Sequence, residues 1–202
     1  MPVLDAPPVE LDHPVDYHDE IAARADRVRV LIIPERRYLL IDGTGGPGEE
    51  RYTSAIGSLY PVAYALHFIL KGRSIEEPIG SLEANSERAT EIDEWTWRLQ
   101  LPVPHAAADE DIDAAIEQVR GGTGVARLDD VRCEKWQEGL VAQILHIGPY
   151  DDQQDVTERL QAAIAERGLR PRGRHHEIYI SDPDRTPPER LKTVIRQPVE
   201  WA

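Results

Sequence analysis

The stretch RHHEIYISD, residues 174–182, has the alternation of a β-strand and carries side chains that do acid–base chemistry. Successive residues of a strand point to opposite faces, so we expect His175, Glu177 and Tyr179 to share one face. An imidazole, a carboxylate and a phenol in a row can accept, hold and donate protons. The spacing therefore predicts a site for general acid–base chemistry or for the binding of a positive charge.

The apolar residues of the same stretch, Ile178 and Ile180, are expected to pack against helices that cover the other face of the sheet. Glu177 would then point away from the helices, into a cleft. An apolar cleft disfavours the charged form of a carboxylate, so the pKa of Glu177 would be raised there. A carboxylate of this kind works as a general base near neutral pH. A solvated strand face is the alternative that the residues alone leave open.

The adjacent histidines do not predict a metal site. His175 and His176 should point to opposite faces of the strand and cannot easily bind one ion. Cys133 is the single cysteine of the chain and has no second thiol to help it hold zinc. The glycine-rich GTGGPG segment lacks the GK[ST] ending of a phosphate-binding loop. We therefore predict neither a metal ion nor a cofactor.

Charge and composition exclude several functional classes. The chain has 202 residues, a net charge of −14 and an isoelectric point near 4.9, which argues against direct nucleic-acid binding. Apolar runs such as YLLI and VAYAL are too short to span a membrane. A single cysteine and an N-terminus without an apolar signal segment favour the cytoplasm.

The elements that must position these residues follow from periodicity and from turn residues. Residues 1–27 are predicted to be an N-terminal arm with one short helix, and Pro61 is predicted to kink or break the first long helix. The further prediction is a strand at 28–43, a helix at 49–70, an extended segment at 79–90, a strand at 94–104, a helix at 108–122, a strand at 130–150 bent at Gly139, a helix at 151–168 and strands at 174–182 and 190–199.

This order of elements repeats. Residues 28–105 and 130–199 each run strand, helix, strand, strand, and the helix at 108–122 connects them. The predicted fold is therefore α+β, with two tandem strand–helix–strand–strand repeats forming a single domain over 28–202. Two such repeats are expected to be related by a pseudo-two-fold axis, and a ligand cleft is expected where they meet.

Aromatic residues supply further candidates for ligand contact. Tyr60 and Tyr64 lie one helical turn apart, and a packing role at the core edge is equally compatible with that spacing. Tyr150 follows a Gly-Pro pair just before a helix, where its alternative role is to anchor the turn. His146 alternates with apolar strand residues and is interpreted as a core-edge histidine.

Several segments together resemble a known family. They are YLLIDGTGGP, LYPVAYALHF, EWTWRLQLP, EGLVAQILHIGPYDD and HHEIYISDPDRTPPERLKTVIRQPV. Over about residues 28–199 they resemble the GyrI-like small-molecule-binding family (also known as the multidrug-binding effector domain). The resemblance is greatest to its stand-alone branch, which includes cyclopropanoid cyclopropyl hydrolases. Residues 79–89, IGSLEANSERA, depart from that branch because they lack its aromatic residues.

The resemblance implies an aromatic-lined cleft between the repeats with Glu177 in it, and it places Trp97 near that cleft. In ligand-sensing relatives a glutamate at this position attracts cationic aromatic compounds. In hydrolase members the acidic and aromatic residues of the cleft are linked to the opening of a strained cyclopropane.

Three hypotheses follow for the function. The first is a cofactor-independent hydrolase in which Glu177 activates water and a tyrosine donates a proton; Tyr179, Tyr150 and Tyr64 remain unranked as donors. The second is a non-catalytic sensor or sink for flat, apolar cations, with Glu177 as the counter-charge. Both give Tyr60, Tyr64, Trp97 and His175 as ligand contacts. The third is a gyrase-inhibitor-like interaction protein. A homodimer is left open.

Overall fold

The structure is a computed structural model that describes residues 9–87, 90–122 and 124–202. The chain divides into two compact units. The first unit combines the residues up to Glu35 with Gln137–Ala202, and the second is the continuous segment Arg36–Trp136. Each unit is described by itself.

The second unit is an antiparallel sheet with two helices. Its elements are the second half of strand β1 (Arg29–Thr44), helix α2 (Glu50–Lys71), strands β2 (Leu82–Glu87) and β3 (Thr96–Pro102), and helix α3 (Asp109–Arg120). Strand β3 lies in the middle, with Leu99 paired to Ile41 of β1 and to Ala84 of β2. The strand order β1-β3-β2 places the two strands that follow the helix next to each other.

Helix α2 forms because apolar residues recur along it at helical spacing. Its buried face includes Ala55, Leu59, Val62 and Leu66. Of the two outcomes predicted at Pro61, a kink or a break, the break is wrong, because the helix continues from Glu50 to Lys71. Burial of the apolar stripe on both sides of the proline outweighs the loss of one helical hydrogen bond.

The first unit contains the same strand–helix–strand–strand order, together with a short helix, part of β1 and one short strand. Its elements are helix α1 (Tyr17–Ile21), the beginning of β1, the end of strand β4 (Arg132–Ile147), helix α4 (Gln154–Glu166) and strands β5 (Leu169–Pro171), β6 (His175–Tyr179) and β7 (Lys192–Trp201). Strand β7 is paired with both β4 and β6, and its end is paired with the short β5. The strand order β4-β7-β6 thus matches the order β1-β3-β2 of the second unit.

The apolar core of the first unit lies between its sheet and α4. Ile144 of β4 and Ile195 of β7 are directly paired, and both are buried in a cluster with Leu160 and Ile164 of α4. The face of this sheet that α4 covers is called the helix face below, and the opposite face is called the far face.

The N-terminal arm is attached to the first unit by Arg29. Its guanidinium donates hydrogen bonds to the backbone oxygen of Asp19 at 2.6 Å and to a carboxylate oxygen of Asp12 at 2.5 Å. Asp12 also forms a parallel bridge with Leu31 of β1. The short helix that the sequence predicted in the arm is α1. Residues 1–8 of the predicted arm lie outside the described residues.

The structure confirms the predicted α+β class and the two strand–helix–strand–strand repeats. The extended segment predicted at 79–90 contains β2, although residues 88 and 89 lie outside the described part of the chain. Strand β5 was not predicted, because three residues are too few to show alternation. Helix α2 is long and apolar enough to cross a membrane by length and composition. Its buried face nevertheless packs in the core of its unit, as core helices of soluble domains do.

Candidate functional site

Glu177 lies on the helix face of the first unit. It is paired with Ile195, which is in turn paired with Ile144, so these three side chains form one row across β6, β7 and β4. Because Ile144 and Ile195 pack with α4, Glu177 is on the same side of the sheet as that helix. The prediction that Glu177 points away from the helices is therefore wrong.

The apolar residues of the stretch were also placed incorrectly by alternation. Ile178 is fully buried, but it points to the far face with its pairing partner Val194. Ile180 lies beyond the end of β6 and is 37% exposed. The residues do alternate between two faces, but the choice of which face meets the helix was wrong. Both faces of this strand are buried, so the polar residues do not mark a solvent side.

Glu177 is 7% exposed, and two neighbouring side chains contact its carboxylate. Its Oε1 lies 3.2 Å from Nε2 of His175, and the amide nitrogen of Gln153 makes a longer contact of 3.5 Å with Oε2. Gln153 is the residue directly before α4, so the beginning of that helix adjoins the carboxylate. Sequence reasoning missed Gln153, since nothing in its local pattern indicates that it reaches β6.

Two tyrosines accompany Glu177. The rings of Tyr150 and Tyr179 are 5.4 Å apart and meet edge to face at 76°. Burial raises the pKa of the Tyr150 phenol, and the negative charges of Glu177 and Asp182 raise it further. The phenol therefore stays protonated at neutral pH and is available as a hydrogen-bond donor, with 37% of the residue exposed. Glu177, His175, Gln153, Tyr150 and Tyr179 are called the Glu177 site below.

The turn that carries Tyr150 is fixed by His146. This residue is 3% exposed, which confirms its predicted position at the core, and its Nε2 lies 2.9 Å from the backbone oxygen of Pro149. Gly148 has a φ of +146°, and a Cβ atom there would lie 3.3 Å from the His146 ring. The backbone angle thus favours glycine, a Cβ atom would make a tight contact with the ring, and the turn positions Tyr150 beside Tyr179.

The far face of the same sheet holds a buried ionic cluster that sequence reasoning missed. Arg196 is fully buried and donates hydrogen bonds to Gln143 at 2.9 Å, to Glu138 at 3.1 Å and to Glu20 at 3.2 Å. Nδ1 of His176 lies 2.9 Å from the other oxygen of Glu138. Arg196, Glu138, Glu20, Gln143 and His176 are called the Arg196 cluster below.

The charged state of Glu138 in the Arg196 cluster depends on its contacts with His176 and Arg196. Burial alone would raise the pKa of Glu138, but the charges of His176 and Arg196, with their hydrogen bonds, outweigh burial and bring that pKa to about 2. Buried charges are tolerated only when they are paired and hydrogen-bonded in this way. The available sequence signal was Arg196 itself, a single charged residue inside the apolar run TVIRQPV.

An irregularity in β4 brings Glu138 into the cluster. Gln143 is paired with Arg196 on the far face, so residues at even positions near it should point to the helix face. Glu138 nevertheless contacts Arg196 on the far face. Gly139, which lies between Glu138 and Gln143 in the sequence, has a φ of +72°. One residue in the left-handed conformation shifts the alternation, as in a β-bulge. The predicted bend at Gly139 corresponds to this shift.

The other predicted ligand contacts belong to the second unit. Tyr60 and Tyr64 lie side by side on α2 with ring centres 6.3 Å apart, and Tyr64 is 52% exposed. Trp97 is 2% exposed, packed against the Tyr52 ring at 5.1 Å and directly over Gly43. Trp97 therefore has a packing role in its own unit and presents almost no surface to a ligand.

The second unit also buries a polar pair. Gln100 and Glu83 are paired on β3 and β2, both are fully buried, and the Gln100 amide donates to Glu83 at 2.7 Å. Among the residues that the structure describes, no three His, Cys, Asp or Glu side chains are grouped as a metal site requires. Burial raises the pKa of Cys133, which favours its unreactive thiol form.

Comparison with known proteins gives the chain a family context. Residues 122–200 match the family model of the GyrI-like small molecule binding domain, and the resemblance seen in the sequence is thereby confirmed for this part of the chain. No curated protein matches the chain.

Solved structures share the fold over nearly the whole length. An uncharacterized conserved protein from Listeria innocua is 28% identical with a TM-score of 0.83, and the match covers 91% of this chain and 97% of that chain. Two structures of hydrolases from Listeria innocua are 27% and 25% identical with TM-scores of 0.79 and 0.78. Each of these covers 91% of this chain and 96% of the other.

Proposed function

We propose, on the premise that residues 122–200 form a GyrI-like small-molecule-binding domain, that this chain binds flat, apolar cations at the Glu177 site. The observation that carries the proposal is a carboxylate with little exposed surface next to two tyrosine rings at the beginning of α4. A carboxylate with little access to water attracts a cation strongly, and aromatic edges and faces give a flat ligand its contact area.

Each member of the site has a role in this proposal. The Glu177 carboxylate is the counter-charge, and His175 and Gln153 hold it in one orientation by contacts to different oxygens. Tyr150 and Tyr179 contact the flat surface of the ligand. Tyr150 is 37% exposed and Tyr179 is less exposed, so Tyr150 is the residue that a ligand would meet first.

The experiment is a fluorescence titration with N-methylacridinium and with its uncharged parent, acridine. We expect Glu177→Gln to weaken binding of the cation about tenfold and to leave acridine binding nearly unchanged, because about 1.4 kcal/mol of charge attraction is lost. Glu189→Gln is the matched control, since Glu189 is exposed in the same unit. Equal losses for both compounds would contradict the counter-charge role.

Hydrolysis is the second candidate, and the fold shared with two hydrolases of 27% and 25% identity favours it. The proposed substrate is a cyclopropane fused to a cyclohexadienone, a class that includes DNA-alkylating natural products, so the activity would be a detoxification. Water would attack the ring carbon and lose a proton to Glu177. The cleaved carbon–carbon bond would supply the electron pair that converts the dienone to a phenolate. Tyr150 is proposed to protonate that oxygen, the proton held by Glu177 then returns to the Tyr150 phenolate, and the net reaction adds one water.

The hydrolase proposal is tested by following the gain of one water by mass spectrometry. A hydrolase would lose about a hundredfold or more of its rate in Glu177→Gln, the range typical of a general base. Binding without turnover by the unmodified protein would instead support a non-catalytic sensor or sink. The net charge of −14 supports action on small molecules without direct contact to nucleic acid, and a cytoplasmic protein without membrane contact is part of the same proposal.

A further inference from the structure

A row of polar side chains lies next to Glu177 on the helix face. Thr193 of β7 is paired with Tyr179 on one side and with His146 on the other, so all three point to the same side of the sheet. Directly paired residues have β-carbons about 4.5–5.5 Å apart. Glu177 is paired with Ile195, and Thr193 lies two residues before Ile195 on β7. Thr193 is therefore the diagonal neighbour of Glu177 on the same face. The row therefore adjoins the Glu177 site.

Two atoms in this row have no hydrogen-bond partner among the described residues. They are Nδ1 of His146 and the hydroxyl oxygen of Thr193, and the two residues are 3% and 0% exposed. Buried polar groups in folded proteins are nearly always paired with protein or with an ordered water. Two unpaired atoms on neighbouring strands, beside a proposed ligand site, thus indicate a missing partner that both can share.

The hydrogen-bond chemistry of that partner follows from the tautomer of His146. The backbone oxygen of Pro149 can only accept, so Nε2 of His146 carries the proton in their 2.9 Å contact. In the neutral ring Nδ1 is then an acceptor, while the Thr193 hydroxyl can donate. The complementary group donates one hydrogen bond and accepts another, and an O–H group does both.

We propose that His146 and Thr193 bind a hydroxyl group at the base of the Glu177 site. In the ligand-free protein this is the hydroxyl of a water molecule, and in the complex it is a hydroxyl of the ligand that replaces the water. The pair then makes the site selective for flat compounds that carry an O–H group over those that lack one. The ligand part of this inference rests on the proposed function, whereas the water part does not.

The water part is tested without any ligand by comparing Thr193→Val with Thr193→Ser. Valine keeps the shape of threonine and removes the hydroxyl, whereas serine keeps the hydroxyl and removes a methyl group. A hydroxyl that is bonded to water stabilises the protein, so the unfolding midpoint of Thr193→Val should fall below that of the unmodified protein. A midpoint that rises in Thr193→Val would show an unpaired hydroxyl and overturn the proposal.

Nitrogen NMR of the His146 ring gives a second test, and its first part, the tautomer in the unmodified protein, needs no variant to fold. We expect the Nε2-protonated tautomer with a hydrogen-bonded Nδ1, and a change in the Nδ1 resonance in Thr193→Val. A resonance typical of a free acceptor, unchanged in the variant, would overturn the proposal.

The ligand part is tested with N-methylacridinium and its hydroxyl-substituted analogues. The analogue whose hydroxyl reaches the pair should bind about tenfold more tightly to the unmodified protein, and this advantage should vanish in Thr193→Val. Equal binding of all the analogues would overturn ligand recognition by the pair and leave water as its one partner. If none of the acridinium compounds binds, the proposed function fails, while the unfolding and NMR measurements still decide the water site.

Discussion

His176 and Glu177 are adjacent in sequence, but their side chains lie on opposite faces of β6 and belong to different polar clusters. His176 contacts Glu138 on the far face at 2.9 Å, whereas Glu177 contacts His175 on the helix face at 3.2 Å. The strand that carries Glu177 is therefore anchored on its opposite face by the Arg196 cluster. The stability of that cluster and the geometry of the Glu177 site are linked through one strand.

The Arg196 cluster is expected to be essential for folding. Arg196→Met keeps much of the side-chain volume but leaves Glu138 and Glu20 without their shared cation. Removing one partner from a buried ionic group typically costs about 3–5 kcal/mol, and we expect a loss of that size in the free energy of unfolding. Denaturant unfolding followed by circular dichroism measures it.

Arg185→Met is the matched control for this substitution. The Arg185 side chain is 86% exposed and contacts Asp182 at the surface, so the change should stay within about 0.5 kcal/mol. Similar losses in both variants would mean that the buried position of Arg196 does not matter.

The low pKa of Glu138 predicts a loss of stability in acid. The pKa is about 2 in the folded protein against 4.5 for a free side chain, so the unfolded state takes up the proton first. The contribution is fully present above pH 4.5 and is lost as the pH falls towards 2. Its size is on the order of 3 kcal/mol. Unfolding free energies measured across this range should depend less on pH in Glu138→Gln, and an unchanged dependence would contradict the assignment.

The phenol of Tyr150 is predicted to report on the charge of Glu177. Burial is the main cause of its raised pKa, and the negative charge of Glu177 is the second. In Glu177→Gln the pKa of Tyr150 should fall but remain above its ordinary value, because burial is unchanged. The difference in phenolate absorbance between each protein and its Tyr150→Phe counterpart isolates this titration. No change of the pKa in the glutamine variant would separate Tyr150 from the Glu177 site.

Gly43 is predicted to be irreplaceable beneath Trp97. A Cβ atom at Gly43 would lie 2.3 Å from two carbons of the indole ring, which Tyr52 holds from another side. Gly43→Ala should therefore cost about 1–3 kcal/mol or more and shift the tryptophan fluorescence. Gly57→Ala in α2 meets nothing within 4 Å and should instead be stabilising by up to about 1 kcal/mol. A neutral Gly43→Ala would show that Trp97 can move aside.

The elements were predictable because their signals are local. Alternation in EWTWRLQLPVP and helical spacing around Leu59 depend only on neighbouring residues, and β3 and α2 formed where expected. The direction in which Glu177 points was not predictable from the same rule. Alternation separates two faces but identifies the solvent side only when one face is polar and exposed, and here both faces are buried.

The partners of the site were beyond local reasoning for a related reason. Gln153 is 24 residues from Glu177, and Glu20 is 176 residues from Arg196, so their contacts depend on the tertiary fold. Thr193 and His146 are joined only by strand register. A single charged residue in an otherwise apolar strand, as at Arg196, is the one sequence feature that predicts a buried ionic contact with a distant residue.

The contact between Glu20 and Arg196 also sets an order of events during synthesis. The second unit is one continuous segment, so all of it is synthesised before β7 is. Glu20 is made before the second unit, but its cation comes from β7, which is made after that unit, and the carboxylate must stay in water until then. The first unit can therefore close only after β7 has left the ribosome, which leaves its apolar residues exposed for the whole time that the second unit is being made.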